Sequence, residues 1–286
     1  MRLALFLTLF FALVAPHAHA GRGTASLKYL PDDTTVVFVS DVARARGSAV
    51  FKKLFQLARK QHAALDTLAT AQPVEKLIDT IVLGANQAKV GVIVLEGRID
   101  KLVAEVKKSA TKTETHAGVT YWVTADGEFA VVDKKLVMTS AGAITAVIDR
   151  AKDKKAKGPA TARTIIAATT PNTAVFGGAV LDASMKEQFN KSLGSEPQWA
   201  AFSFGMAQKL TLDARLKFAD ETAAANAAKS VNDQLTPDRR GQLEGFVGKE
   251  FSDSLTVDQQ QSFARIAATL SAEEVEKIVT FLKMVM

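Results

Sequence analysis

The chain has 286 residues, 48% of them hydrophobic with 16 Phe, no Cys, and 36 Lys and Arg against 30 Asp and Glu for a net charge of +6. The lack of cysteine excludes disulfides, thiol nucleophiles and cysteine metal centres together, so an apolar core must supply the stability, and the length suits two domains of ordinary size. The lysines are scattered and not interleaved with aromatics, so nothing favours a nucleic-acid partner; the basic balance reads first as simple solubility, and as a weak pull towards anionic surfaces such as phospholipid or lipopolysaccharide headgroups in the alternative.

Residues 1–20 read as a signal peptide. Arg2 is a minimal positive start, Leu3 to Val14 is apolar, and Ala18-His19-Ala20 offers a small-x-small cleavage site before Gly21. The apolar run falls short of the roughly 20 residues that span a bilayer. Cleavage removes Arg2 and leaves a net charge of +5. No cysteine at the site is available for a lipid anchor, and no transmembrane segment is expected in the mature chain. A cysteine-free exported chain suits a bacterial periplasm, so the expected location is periplasmic or secreted. Asn190-Lys191-Ser192 has the form of a glycosylation sequon and reads as chance.

The mature chain carries an internal match. Thr35, Val37, Phe38, Val42, Phe51 and Lys53 recur 138 residues later as Thr173, Val175, Phe176, Val180, Phe189 and Lys191, which predicts a duplicated domain. Ser140-Ala141 falls on Ser271-Ala272 at a different spacing, and Gly84 falls near Gly205 or Met206. The expected division is a first α+β repeat over 21–152, a charged linker over 153–167, and a second α+β repeat over 168–286. Within the linker region, Arg150 to Arg163 is charged, holds no large apolar residue and contains a Gly-Pro break.

In the first repeat, Thr35 to Ser40 is β-branched and aromatic and predicts a buried strand. Ser48 is an N-cap for a helix carrying Val50, Phe51, Leu54, Phe55, Leu57 and Ala58. Strands follow at Thr80 to Leu83 and Lys89 to Glu96, then an amphipathic helix over Gly97 to Ser109 with Ile99, Leu102, Val103 and Val106 on one stripe. From Gly118 the pattern is a meander: Val119 to Thr124, an Asp126-Gly127 turn, Phe129 to Val132, a turn at Asp133 to Lys135, and Leu136 to Thr139. A helix over Ala143 to Ala151 closes the repeat.

In the second repeat, Leu210, Leu212, Ala214, Leu216 and Phe218 alternate as in a strand with one buried face. Ala219 to Gln234 is a long helix, and Thr236-Pro237-Asp238 starts another running to about Glu250. Ser254 to Asp258 and Phe263 to Leu270 form a hairpin across Gln259 to Gln261. Ser271 to Glu274 is a capping box that launches a terminal helix. Strands joined by tight turns pair antiparallel, so the expected fold is α+β, a tandem duplication of a domain with a mostly antiparallel sheet and helices packed on one face.

No residue is assigned to catalysis, a cofactor or a metal. His17 and His19 leave with the signal peptide, and His62 and His116 lack metal-ligand spacing. Asp32-Asp33 suits a turn, and Glu273-Glu274 suits the first turn of a helix. Phosphate-loop, dinucleotide and nucleophile-elbow motifs are absent from the sequence. Gly177-Gly178 reads as a bulge or a close backbone contact, and Tyr121, Trp122 and Trp199 read as core or edge aromatics that could alternatively line a ligand face.

Several segments together resemble a family of uncharacterised exported proteins with a duplicated α+β domain, found in myxobacteria and relatives. They are Leu30-Pro31-Asp32-Asp33-Thr34 before Val36-Val37, Asp41-Val42-Ala43-Arg44, Ser48 to Leu54, Gly97-Arg98-Ile99-Asp100, and Leu270-Ser271-Ala272-Glu273-Glu274. The chain departs from the family at Gln259 to Gln261, where an Asp-Gly or Asn-Gly turn is usual. The resemblance implies an exported, duplicated protein and carries over no catalytic residue.

The functional expectation is an exported, non-enzymatic binding or envelope-associated protein whose partner is an envelope component or anionic surface. One alternative is a periplasmic hydrolase using carboxylates in a cleft. The other is a peripheral binder of anionic membranes that uses the terminal helix, with Val275, Ile278, Val279, Phe281 and Leu282 apolar. Burial of that helix against the sheet is the stronger expectation, because the helix closing the first repeat has the same stripe.

Overall fold

The computed structural model describes residues 23–52, 55–56, 74–86 and 91–285. The expected signal peptide, His62, and Leu54, Leu57 and Ala58 of the helix after Ser48 lie outside the described residues. A 3-10 helix, Thr24–Tyr29, comes first. The strands are β1 Val36–Asp41, β2 Ile78–Ala85, β3 Gly91–Gly97, β4 Lys112–His116, β5 Val119–Thr124, β6 Gly127–Val132, β7 Lys135–Thr139, β8 Val175–Val180, β9 Trp199–Met206, β10 Leu210–Lys217, β11 Thr256–Gln260 and β12 Phe263–Leu270. The helices are α1 Val42–Ala45, α2 Val74–Leu77, α3 Asp100–Lys108, α4 Ile144–Lys152, α5 Ala160–Ala167, α6 Ala183–Leu193, α7 Glu221–Gln234, α8 Pro237–Phe246, α9 Lys249–Ser254 and α10 Ala272–Val285.

These elements make an α+β fold built on one antiparallel sheet of twelve strands, in the order β11-β12-β10-β9-β8-β1-β2-β3-β7-β6-β5-β4. The halves join where β1 pairs with β8, from Val36 opposite Ala179 to Ser40 opposite Val175. At the ends of that pairing, the Asp41 N–H donates to the Ala174 carbonyl and the Val180 N–H to the Thr35 carbonyl, both at 2.8 Å. The Asp41 carboxylate accepts from the Arg44 N–H at 2.9 Å, and the buried Arg44 guanidinium reaches the Asn172 carbonyl just before β8. The junction is therefore a continuous ladder with a buried charge pair at its end.

Alternation along the strands sorts the core into two layers. On the front, Ile81, Ile93, Phe129, Leu136, Val175, Met206, Leu210 and Leu270 pack with Leu102 and Val103 of α3 and Val275 of α10. On the back, Val37, Val39, Val82, Val92, Val94, Ala130, Val137 and Ala201 pack with Leu27, Tyr29 and Leu30 of the 3-10 helix, Ile144, Val147 and Ile148 of α4, and Ile165 of α5. Helices cover both faces, not the single face expected from the sequence. Each layer draws residues from both halves, so the halves share their cores.

The 138-residue match does not survive as a match of packing. Val39 lies opposite Phe176 on β8, so Phe176 points to the back, whereas Val175 belongs to the front and Val37 to the back. Phe38 points to the front, its ring 5.1 Å from Phe202. A slip of one residue reverses every side chain of a strand, and this pairing puts the matched residues on opposite faces. Phe38 and Phe176 are both half-buried; the buried apolar residues of β1 are Val37 and Val39. The helices closing the two halves differ likewise, α4 on the back and α10 on the front.

Three further departures have local causes. Residues 160–167 of the expected linker form α5, whose Ala162 and Ile165 are buried against β8, β1 and β9; the lysines end at Lys157, Arg163 is exposed on the helix, and the apolar Ile165 and Ile166 follow. The helix expected from Thr236 to Glu250 breaks at Val247 and Gly248 into α8 and α9. β4 has no large apolar residue and so gave no strand pattern. The caps and turns follow the sequence: Phe51 N–H donates to Ser48 Oγ at 3.1 Å, Thr236 caps α8 with Pro237 at its first turn, and β11 and β12 close into a hairpin through Gln261 at φ 53°.

Candidate functional site

β10 places Leu210 in the front core and turns Thr211, Asp213, Arg215 and Lys217 to the back. The helices that pack on β11 and β12 do so from the front: α7 through Ala224, Ala227 and Ala228 near Ala264, α9 beside Phe251, and α10 through Val275. On the back of this part of the sheet, Arg215 of β10 meets the C-terminal end of α5. The back of β9, β10, β12 and β11 brings charged and aromatic side chains together.

The register sets them in rungs. Trp199, Lys217, Phe263 and Gln260 lie across β9, β10, β12 and β11; Ala201, Arg215, Arg265 and Asp258 form the next rung, and Ser203, Asp213, Ala267 and Thr256 the one after. Arg215 and Arg265 are directly opposite, an arrangement that like charges disfavour. Asp213 resolves it by accepting from Arg215 Nε at 3.0 Å and from Arg265 Nε at 2.8 Å. Arg265 Nη1 continues to Asp258 Oδ2 at 3.1 Å. On the other side, Arg215 Nη1 donates to the Ala168 carbonyl at 3.0 Å and Nη2 to Thr170 Oγ1 at 3.4 Å. Ala168 is the C-cap of α5, where a cation is favoured by the helix dipole.

Beside this chain of ion pairs, Trp199 and Phe263 meet edge to face, 5.5 Å apart at 71°. Lys217 Nζ stands 5.4 Å from the Phe263 ring centroid and donates to Ser262 Oγ. Three cations, Arg215, Arg265 and Lys217, thus share the face with two carboxylates, Asp213 and Asp258. Burial opposes ionisation of Asp213, but hydrogen bonds from Arg215 and Arg265 outweigh it and hold the carboxyl below the usual carboxylate range. The site is equipped for ion pairing and stacking.

A second polar cluster fastens the 3-10 helix to the back of the sheet. Lys28 Nζ and the Tyr29 hydroxyl both donate to Asp133 Oδ2 at 2.8 Å, and Lys135 Nζ donates to Ser26 Oγ at 2.6 Å and to Glu96 Oε1 at 2.7 Å. The hydrogen bonds from Lys28 and Tyr29 lower the Asp133 pKa, while burial first, then the bond to Asp133, raises that of Tyr29. Tyr29 is 0% exposed. This cluster anchors the chain beneath α4.

The residues weighed from the sequence do not converge. His116 ends β4 and its Nε2 lies 2.7 Å from Asp149 of α4. Asp33 accepts from Asn86 at 2.7 Å, and Asp32 sits 3.8 Å from Arg150. Glu274 is buried in the capping box. Tyr121 lies in the back core, whereas Trp122 stacks on Phe129 at the front under Lys107; only Trp199 reaches the face that carries Arg215 and Arg265. Gly178 is a close backbone contact, as the sequence suggested. Among the described residues no three His, Asp or Glu side chains gather as metal ligands, and no helix is long and apolar enough to cross a membrane. The ladder itself was half-visible: alternation marked the back of β10 as polar, but only the register brings Arg265 opposite Arg215.

No family model matches the chain, and no curated protein matches it. Among solved structures it is similar to three crystal forms of TP0453, a Treponema protein. Form III has a TM-score of 0.52 at 9% identity, covering 92% of this chain and 98% of that one. Form I has a TM-score of 0.50 at 10% identity over 90% and 96% of the two chains, and form IV a TM-score of 0.50 at 10% identity over 88% and 95%. At these identities the likeness is one of fold, and it runs through both halves of the chain.

Proposed function

We propose that this chain is an exported, non-enzymatic binding or envelope-associated protein, and that it meets an anionic envelope component on the back of β9, β10, β12 and β11. The observation that carries this reading is the set of three cations, Arg215, Arg265 and Lys217, against two carboxylates on one half-buried face beside the Trp199–Phe263 pair. Arg215 and Arg265 are held in place by Asp213, so they are presented without a further ordering cost. Export rests on the sequence of residues 1–20, and kinship with the myxobacterial exported proteins rests on the segments that resemble them.

Hydrogen bonds from neighbouring side chains lower the carboxyl pKa values of Glu114, Asp133 and Asp213, which suits ion pairing. Attachment through α10 is the weaker alternative, because Val275 and Ile278 already pack in the front core.

Co-sedimentation of the chain from Gly21 onward with phosphatidylglycerol vesicles and with phosphatidylcholine vesicles tests the reading. Binding to the anionic vesicles alone, reduced by salt and by Lys217→Glu or Trp199→Ala, is expected. Equal binding by the wild type and both variants would place the contact elsewhere, and binding no stronger than to the neutral vesicles would remove the anionic partner.

A further inference from the structure

The two edges of the sheet are finished differently. At β11, α7 lies along the strand and Asn232 Nδ2 donates to the Val257 carbonyl at 3.0 Å. At β4, among the described residues, no element lies beyond the strand. An open row of backbone donors and acceptors is a template for another strand.

What that strand must be is written in the edge itself. The ladder to β5 runs from Lys112 opposite Val123 to His116 opposite Val119; just before it the Thr111 N–H donates to the Val123 carbonyl at 2.8 Å, and residues 111–115 read Thr-Lys-Thr-Glu-Thr. Lys112 and Glu114, opposite Val123 and Tyr121, share the back face, while Thr113, opposite Trp122, takes the front. Lys112 and Glu114 are paired along the strand, with side-chain exposures of 67% and 32%.

From this pattern we infer that β4 pairs with β4 of a second copy, antiparallel and centred on Thr113, so that two twelve-stranded sheets become one. A two-fold axis normal to the sheet keeps each side chain on its own face, so the register must centre on a residue. Centring on Lys112 sets lysine against lysine, and centring on Glu114 sets glutamate against glutamate. Centring on Thr115 leaves Lys112 without a charged partner. Centring on Thr113 alone puts Lys112 against Glu114 of the second copy, and the reverse, with Thr111 against Thr115 and Thr113 against itself. Opposite charges and threonine pairs are the favourable cross-strand neighbours. A single edge lysine deters pairing; the alternation of sign here converts that deterrent into selection for one register and one partner, an isologous dimer.

Sedimentation equilibrium of the chain from Gly21 onward, over a range of concentration and salt, tests this. A dimer is expected that dissociates as salt rises. Lys112→Glu and Glu114→Lys each set like charges opposite and raise the dimer Kd at least about tenfold, and the double variant carrying both returns it to near the wild-type value. Because the swap restores the pattern, recovery in the double variant cannot come from damage to folding. A monomer at every concentration overturns the proposal, as does a dimer whose Kd ignores the single reversals or fails to recover in the double variant.

Discussion

Ser271 and Glu274 hold each other across the start of α10: the Ser271 N–H donates to Glu274 Oε2 at 2.8 Å, and the Glu274 N–H donates to Ser271 Oγ at 3.1 Å. The other oxygen of the same carboxylate accepts from Glu250 N–H at 3.0 Å and Phe251 N–H at 3.3 Å, capping α9 as well. Gly248 leaves the room, since a β-carbon there would stand 2.0 Å from Glu274 Oε1. One side chain thus fixes two helix starts against the front core.

The two partners should therefore differ in cost. Ser271→Ala removes a single N-cap and should cost about 1 kcal/mol. Glu274→Ala strips acceptors from three N–H groups in a buried setting and should cost about 2 to 4 kcal/mol. Urea unfolding of both variants measures this, and equal costs would mean that the bonds to α9 contribute nothing.

Asp213 gives a pH dependence with a definite sign. Its folded pKa is lowered by Arg215 and Arg265, so the stability it supplies is complete above the unfolded carboxylate value, about 4, and is lost as pH falls through the lower folded value. Asp213→Asn should cost about 2 to 3 kcal/mol at neutral pH, since it removes charged hydrogen bonds and leaves Arg215 facing Arg265. The variant should also lose part of the acid slope of stability below about pH 4. Unfolding followed across pH checks both; an unchanged slope would mean that Asp213 does not set it.

Strands and caps were legible in the sequence because each is encoded locally: Ser48, Thr236 and Ser271 all cap helices, and Val119 to Val132 turns where Asp126-Gly127 stands. Facing was not legible. Val37 and Val175 match in sequence, yet a face depends on the register between β1 and β8, a long-range choice that no short window records. β4 was hidden for a different reason, being an edge strand whose polar residues bury little, and α5 was hidden by the charged run before it. The ladder at Asp213 needed both alternation, which was visible, and the pairing of β10 with β12, which was not.

Gly178 marks where β8 is squeezed between its neighbours. A β-carbon there would lie 2.0 Å from the Ala200 carbonyl oxygen on β9 and 2.8 Å from Ile165 Cγ2 on α5. The carbonyl belongs to the ladder and cannot move alone, so Gly178→Ala should destabilise by about 3 kcal/mol through overpacking. Thermal unfolding decides it, and a loss below about 1 kcal/mol would mean that α5 and β9 yield more readily than this packing implies.

The last expectation concerns cooperativity. A plain tandem repeat with a charged linker would unfold in two steps, each half by itself. Here β1 and β8 pair across the junction, the buried Arg44, paired with Asp41, reaches the Asn172 carbonyl, and both core layers take residues from each half. Val39 on the back of β1 and Val175 on the front of β8 are 0% and 2% exposed, so each truncation to alanine removes two buried methyl groups and leaves a cavity, about 2 to 3 kcal/mol. Because the layers cross the junction, calorimetry should show one transition, and Val39→Ala and Val175→Ala should each lower all of it. Two transitions, with each variant moving only its own, would mean that the strand pair at the centre of the sheet opens before either half melts.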